Sequence, residues 1–265
     1  MVIDFHTHTF PDKIADSAIE KLALAGNIKP YRRGTLDSLH ESMAKSNIDI
    51  SVVLPVATSP RQVSTINRLS AELNGKGGVY FAGAIHPDCE DVDGILDEIV
   101  GAGLRGIKLH PDYQEVSFSD RRYINIIRKA AERELWVVTH AGVDVAYPDD
   151  VHATPDGILY VLSELSDLSS FKLILAHMGG CDLPDEVLSK LCGKNVYFDT
   201  SFVLTRYPEK CLEIIKAHGA DKIIFGSDSP WAHQGEYLEK LLSFPLSDEE
   251  KEKILYKNAA KLLHI

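Results

Sequence analysis

What most constrains the fold of this chain is a rhythm: short apolar, β-branched runs recur from one end to the other, and segments of helical period separate them. The runs lie at Val2 to Phe5, Ile50 to Pro55, Val79 to Ile85, Leu104 to Leu109, Leu135 to Thr139, Phe171 to Ala176, Val196 to Phe198 and Lys222 to Phe225. Each is near-continuously apolar rather than alternating, as a parallel strand covered on both faces requires. Between them, Ser59-Pro60 reads as an N-cap and N1 proline before a helix reaching about Asn74, with Gly75 as its C′ residue. Ser119 is the expected cap of the next clear helix, in which Tyr123, Ile126, Ile127 and Ala130 fall at i, i+3, i+4 and i+7. Thr154-Pro155 opens another, and Ser247 to Ile265 reads as a closing amphipathic helix.

Strict alternation of strand and helix implies right-handed crossovers and a parallel sheet. Eight repeats in 265 residues match the size at which such a sheet closes into a (β/α)8 TIM barrel, here a single domain over residues 1–265. The competing arrangement is a doubly wound open sheet, against which stands the absence of a GxGxxG or P-loop after the first strand. No composition shift, low-complexity tract or charged linker marks a second domain.

A net charge of −11 disfavours nucleic acid and anionic membranes as partners, since both demand a basic face. The N-terminal MVIDFHTHTF has no basic leader followed by an apolar run, and no segment offers the ~20 apolar residues of a membrane span. The expectation is a cytoplasmic protein acting on a small molecule, with homo-oligomerisation compatible. Cys89, Cys181, Cys192 and Cys211 are scattered with no CxxC pair, so buried reduced thiols are expected rather than disulfides or a thiolate metal site.

Of 11 histidines, His6, His8, His86, His110, His140 and His177 lie at or just beyond the C-terminal end of an expected strand, and Asp228 closes the last one. In a barrel those ends converge on one face, where the loops form the site. The spacing of His6 and His8 sends both imidazoles to the same side of a strand. With His140 and Asp228 they make a nitrogen and oxygen set for a divalent metal that keeps an open position for water. Zinc leads, and manganese, cobalt and iron accept similar ligands. His86 and His110 each begin an His-Pro-Asp sequence, where loop capping and catalysis are equally served. His40, His152, His218, His233 and His264 fall on expected helices or loops and read as solvated.

Taken together, Asp4-Phe5-His6-Thr7-His8, Gly106-Ile107-Lys108-Leu109-His110-Pro111, Thr139-His140-Ala141-Gly142, Ala176-His177-Met178-Gly179-Gly180 and Gly226-Ser227-Asp228-Ser229-Pro230 resemble the motifs of the amidohydrolase superfamily, specifically its amidohydrolase-2 group. The resemblance spans the chain. It implies that His6, His8, His140 and Asp228 hold the metal, with Asp228 also the general base. It further implies that His177 polarises the substrate carbonyl or ligates a second metal. Asp4 would orient an imidazole from behind. Lys108, placed inward by alternation between apolar Ile107 and Leu109, would either face the substrate as an ammonium or, carboxylated as in binuclear relatives, bridge two metals. TatD-type deoxyribonucleases, which share the HxH pair, carry a glutamate on strand 4 where this chain has Arg105-Gly106-Ile107-Lys108.

The chemistry expected from this set is hydrolysis of an amide, lactone or other ester bond by a metal-activated water. Asp228 would accept the water proton, and His177 would donate to the developing oxyanion. Some relatives decarboxylate small unsaturated or aromatic acids instead, and a barrel that binds metal without catalysis is a further alternative. The stretch from Ala141 to about Ala153, long for a connection of this kind, is the expected lid. Lys108, Tyr113, Arg206 and Trp231 stand near strand ends, where they would bind an anionic or cyclic substrate.

Overall fold

The structure, a computed structural model, describes residues 1–168 and 170–265. The strands are β1 (Ile3–Thr7), β2 (Ile50–Val53), β3 (Val79–Phe81), β4 (Gly83–Ala84), β5 (Gly106–Leu109), β6 (Trp136–Thr139), β7 (Lys172–Leu175), β8 (Tyr197–Asp199) and β9 (Ile223–Ile224). All neighbours pair in parallel, in a three-stranded sheet β1-β2-β3 and a six-stranded sheet β4 to β9 in sequence order. β3 and β4 are halves of one expected strand, interrupted at Ala82, whose N–H still donates to Val53 O at 2.9 Å. At the other seam Phe5 N–H donates to Phe225 O at 2.9 Å and Asp228 N–H to His6 O at 2.8 Å, and Thr7 bridges Ser229. These bonds link the two sheets into one ring, and the seam that links its first and last strands is also the floor of the histidine cluster.

The helices are α1 (Asp12–Gly26), α2 (Leu36–Ser46), α3 (Val63–Leu73), α4 (Val92–Gly101), α5 (Arg121–Glu132), α6 (Pro155–Glu164), α7 (Pro184–Lys190), α8 (Pro208–His218), α9 (Gln234–Leu242), α10 (Asp248–Glu252) and α11 (Asn258–Leu263). Strand residues Ile107, Leu109, Val137, Leu173 and Leu175 join the layer packed under these helices. Ile3, Phe5, Trp136, Val138 and Ile174 fill the ring, with Leu262 and Leu263 of α11 packed among them. Gly106 makes room for this filling, because a Cβ there would lie 1.9 Å from the Trp136 indole.

Local details depart from expectation where a neighbour supplies a better partner. Ser59 makes no capping bond, and α3 is preceded by a 3-10 turn at Pro60–Gln62. Asp120 rather than Ser119 caps α5, accepting from the Arg122 N–H, while Thr154 caps α6 as expected, and Ser247, where the closing helix begins, forms a capping box with Glu250. The closing helix is not continuous: a π-helical turn at Lys253–Lys257 separates α10 from α11, and the Ile254 carbonyl there accepts from Phe225 N–H. His218 is not solvated. It stacks on Phe198 with centroids 4.1 Å apart and ties Val196 O to Gly193 N–H.

Candidate metal centre

Three donor atoms meet at the C-terminal end of the ring. His6 Nε2 lies 3.2 Å from His8 Nε2, and Asp228 Oδ1 lies 3.1 Å from His8 Nε2 and 3.4 Å from His6 Nε2. The outer nitrogens settle what these atoms are. His8 Nδ1 faces only the Leu54 carbonyl, at 2.9 Å, so it carries the ring proton and leaves Nε2 a bare lone pair. His6 Nδ1 faces Asp199 Oδ2 at 2.8 Å and is settled the same way. With the ring protons on these outer nitrogens, two imidazole lone pairs and a carboxylate converge, an arrangement that a divalent cation between them would satisfy.

Asp199, at the end of β8, holds this arrangement. Its Oδ1 accepts from the backbone N–H groups of His177 and Ser201, each at 3.0 Å, and from the Ser201 hydroxyl. Because Ser201 Oγ gives its proton to Asp199, it accepts from His6 Nδ1 at 3.0 Å and His177 Nδ1 at 2.9 Å. Burial alone would raise the Asp199 carboxyl, but the adjacent His6 and these bonds hold it well below the usual carboxylate range. Burial and the nearby Lys108 lower His6 to about 4, so the ring is neutral at physiological pH. Asp228 is likewise held down, against burial, by His6 and by its contact with His8.

A second pair stands beside the first: His140 Nδ1 and His177 Nε2 are 3.0 Å apart. Lys108 Nζ lies 3.4 Å from His6 Nε2, with the side chain facing inward and only 1% of the residue exposed. It makes no ion pair among the described residues, and burial lowers its pKa to about 8. The backbone around the site is unusual for residues other than glycine, with φ of +58° at His177, +63° at Phe202 and +75° at Asp228. Such conformations persist where surrounding bonds enforce them, as at sites where side chains must be aimed.

The amidohydrolase family profile matches residues 3–265. The chain belongs to the amidohydrolase family. No curated protein matches the sequence, but solved structures share the fold. An uncharacterised TIM-barrel protein from Bordetella bronchiseptica is 19% identical, with 99% of this chain and 98% of that one covered at a TM-score of 0.76. A probable 2-pyrone-4,6-dicarboxylic acid hydrolase from Acinetobacter baumannii is 18% identical over 100% and 99% of the two chains, TM-score 0.69. A 5-carboxyvanillate decarboxylase from Novosphingobium aromaticivorans, described with bound manganese, is 14% identical over 100% and 97%, TM-score 0.73. The enzymes named among these similar folds thus include both a hydrolase and a decarboxylase.

In this chain His6, His8 and Asp228 group closely enough for one ion, while His140 groups with His110 and Asp144 instead and reaches the first set through His177. His110 stacks on His140 at 4.4 Å and lines the cavity. His86 does not; its Nδ1 accepts from Asp88 N–H at 3.1 Å, the loop-capping outcome. Asp4 orients no imidazole. Its oxygens take the His6 backbone N–H, Ser227 and the Gln234 amide, so it aligns β1 with the segment after β9, and Asp199 supplies the imidazole contact.

Tyr113 and Trp231 line the cavity, but Arg206 is turned to the surface, paired with Asp182 at 2.7 Å. His152 is not solvated either; its Nδ1 lies 3.2 Å from Asp112. Asp199, Ser201, Asp112 and Asp144 escaped the sequence reading. The signal for Asp199 was available, since it ends its strand as Asp228 follows the last. The cavity holds about 180 Å³, with polar atoms on its floor and walls built partly by Phe10, Leu22, Ile28, Val143, Val145 and Trp231. No described helix is long and apolar enough to cross a membrane.

Proposed function

We propose that this protein is a metal-dependent hydrolase of an amide, lactone or other ester bond in a small, largely apolar molecule. The observation that carries the reading is the convergence of the His6 and His8 lone pairs and Asp228 Oδ1 within 3.4 Å of one another, which suits a divalent cation, zinc first. His140, one step away beside His177, would complete the set. A divalent ion bound there polarises a carbonyl and acidifies water.

The chain's own groups do the rest. Asp228, ionised beside His8, accepts the proton of the attacking water and returns it to the leaving group. His177 holds its proton on Nδ1 against the Ser201 carbonyl, 3.2 Å away, and burial lowers its pKa. Its Nε2 is therefore an acceptor at neutral pH, so the expected donation to an oxyanion gives way to a role as base or ligand. The apolar walls exclude water and seat a hydrocarbon or aromatic body. On this reading the partner is a small molecule, the net charge of −11 keeps polynucleotides away, and the free thiols suit the cytoplasm.

One observation favours decarboxylation of a small aromatic or unsaturated acid as a second reading. Lys108, buried without a carboxylate partner, would gain one from an acid substrate. Zinc-loaded enzyme is therefore assayed with neutral lactones, esters and amides for acid release, and with aromatic acids for carbon dioxide. Acid release without carbon dioxide supports hydrolysis, whereas carbon dioxide from the acids with no turnover of neutral substrates overturns it.

A further inference from the structure

Four imidazoles face the centre, and three have the outward nitrogen satisfied: His6 by Asp199, His8 by Leu54 O and His177 by Ser201. His140 is the exception. Its Nε2 is buried without a hydrogen-bond partner among the described residues. The nearest carboxylate is Asp112 Oδ2, 3.8 Å away and equally unpartnered, on a residue with 0% exposure. Burial lowers the pKa of this ring and the Gly142 backbone, the other acceptor beside it, opposes that, although Nε2 reaches hydrogen-bond geometry with no partner among the described residues. Two buried polar groups face each other across a gap too wide for a hydrogen bond.

The proton inventory explains the gap. With His177 Nε2 a bare acceptor, the 3.0 Å contact to His140 requires the proton on His140 Nδ1. His140 Nε2 is then also a lone pair, set against a carboxylate. We propose that Asp112 is the positioning residue of His140, a role that rests on the metal reading above. When a divalent cation occupies the centre, the His140 Nδ1 lone pair turns to the ion and the ring proton passes through water from Nδ1 to Nε2. The bond Nε2–H to Asp112 Oδ2 then closes. The ring stays neutral and no proton is gained or lost overall. Asp112 is anchored from the other side, its Oδ1 accepting from the backbone N–H and Nδ1 of His152, both at 3.2 Å. His152 ends the loop whose Val143, Asp144 and Val145 line the cavity, so one carboxylate joins the metal-facing imidazole to the substrate wall.

The test is nitrogen-15 NMR of His140 in metal-free and zinc-loaded protein, together with zinc affinity by chelator competition for wild type, Asp112→Ala, Asp112→Asn and His152→Ala. Expected are a protonated Nδ1 without zinc and a protonated Nε2 with it, and a loss of zinc affinity of about 10- to 100-fold in Asp112→Ala, the usual effect of removing such a support. Asp112→Asn, which keeps one acceptor oxygen, falls between. His152→Ala, which removes one of the two bonds that anchor Asp112 but leaves its carboxylate, loses less affinity than Asp112→Ala. An unprotonated Nε2 in the zinc form overturns the proposal, and so does unchanged affinity in Asp112→Ala, which would assign the proton to the Gly142 carbonyl. Wild type that takes up no zinc overturns the metal centre itself. The NMR measurement needs no variant, so a misfolded Asp112→Ala leaves the tautomer prediction standing to be tested.

Discussion

A histidine is a metal ligand only if its other nitrogen is told where to keep the proton, and at His6 and His8 that instruction comes from an identifiable acceptor. Asp199 gives it to His6. Replacing Asp199 by alanine should lower zinc affinity by about 10- to 100-fold while far-ultraviolet circular dichroism stays native, a comparison that chelator titration makes directly. Asp228→Asn should lower turnover by about two to four orders of magnitude at equal metal occupancy with little change in substrate binding, because an amide accepts no proton from water. Near-native turnover would remove Asp228 from the role of base.

Lys108 carries a cost that shows its sign. Its folded pKa of about 8 lies below the ordinary 10.5, so the unfolded chain binds the extra proton between those values. Stability of the metal-free protein should therefore rise with pH from 8 to 10.5. Lys108→Met should lose that rise and be more stable than wild type at pH 7, as urea midpoints would report. Metal titration of wild type and Lys108→Ala then separates the two roles of this lysine: two equivalents against one support a carboxylated bridge, and one in both eliminates it.

At the scale of elements, the mouth is built by connections rather than by strands. The loop after β6 is pinned where Gly142 bridges Cys181 in the loop after β7. Gly142 has φ +84°, and a Cβ there would stand 2.2 Å from Cys181 N and 2.4 Å from Cys181 O, backbone that cannot step aside. Gly142→Ala should cost about 1–3 kcal/mol and, two residues from His140, release metal more readily, seen as a lower melting temperature and lower zinc content after dialysis. The helix starts show why local reading succeeds unevenly. Thr154 and Ser247 cap as their sequences announce, whereas Asp120 outcompetes Ser119 because two adjacent side chains were both competent and the backbone trajectory chose.

For the whole molecule, the seam between β1 and β9 makes closure and chemistry inseparable, since Asp228 N–H bonds to His6 O. His6→Ala combined with His8→Ala should abolish metal uptake yet leave the barrel folded, as the apolar filling of the ring and the layer under the helices contain neither imidazole. Retained metal in that variant by elemental analysis would reject the ligand assignment. Acidification should weaken the metal-free fold. Burial lowers the pKa values of His6, His110, His140 and His177, so below pH 6.5 unfolding takes up protons on all four and stability falls with pH. Asp4 and Asp144, raised by burial to about 6, and Asp112, raised by the same cause, bind protons in the folded state and oppose this with fewer sites. The urea midpoint is expected to be lower at pH 5 than at pH 7.

The strand rhythm and its consequence, a parallel barrel with histidines on one rim, were determined by the sequence alone, because burial on both faces and the period of two act within each segment. Lys108 turned inward as alternation required. What only the tertiary structure decided is which side chains share an atom's neighbourhood. Alternation is not followed strictly in β1, where pairing slips between Asp4 and Thr7 and both Phe5 and His6 face the interior of the ring. It could not tell that Asp4 serves the backbone, that Asp199 rather than Asp4 holds His6, or that Arg206 turns away to Asp182. Hydrogen-bond partners 22 or 193 residues apart, as between Asp199 and His177 N–H or His6, are chosen by where the ring brings strand ends together, and no local propensity encodes that distance.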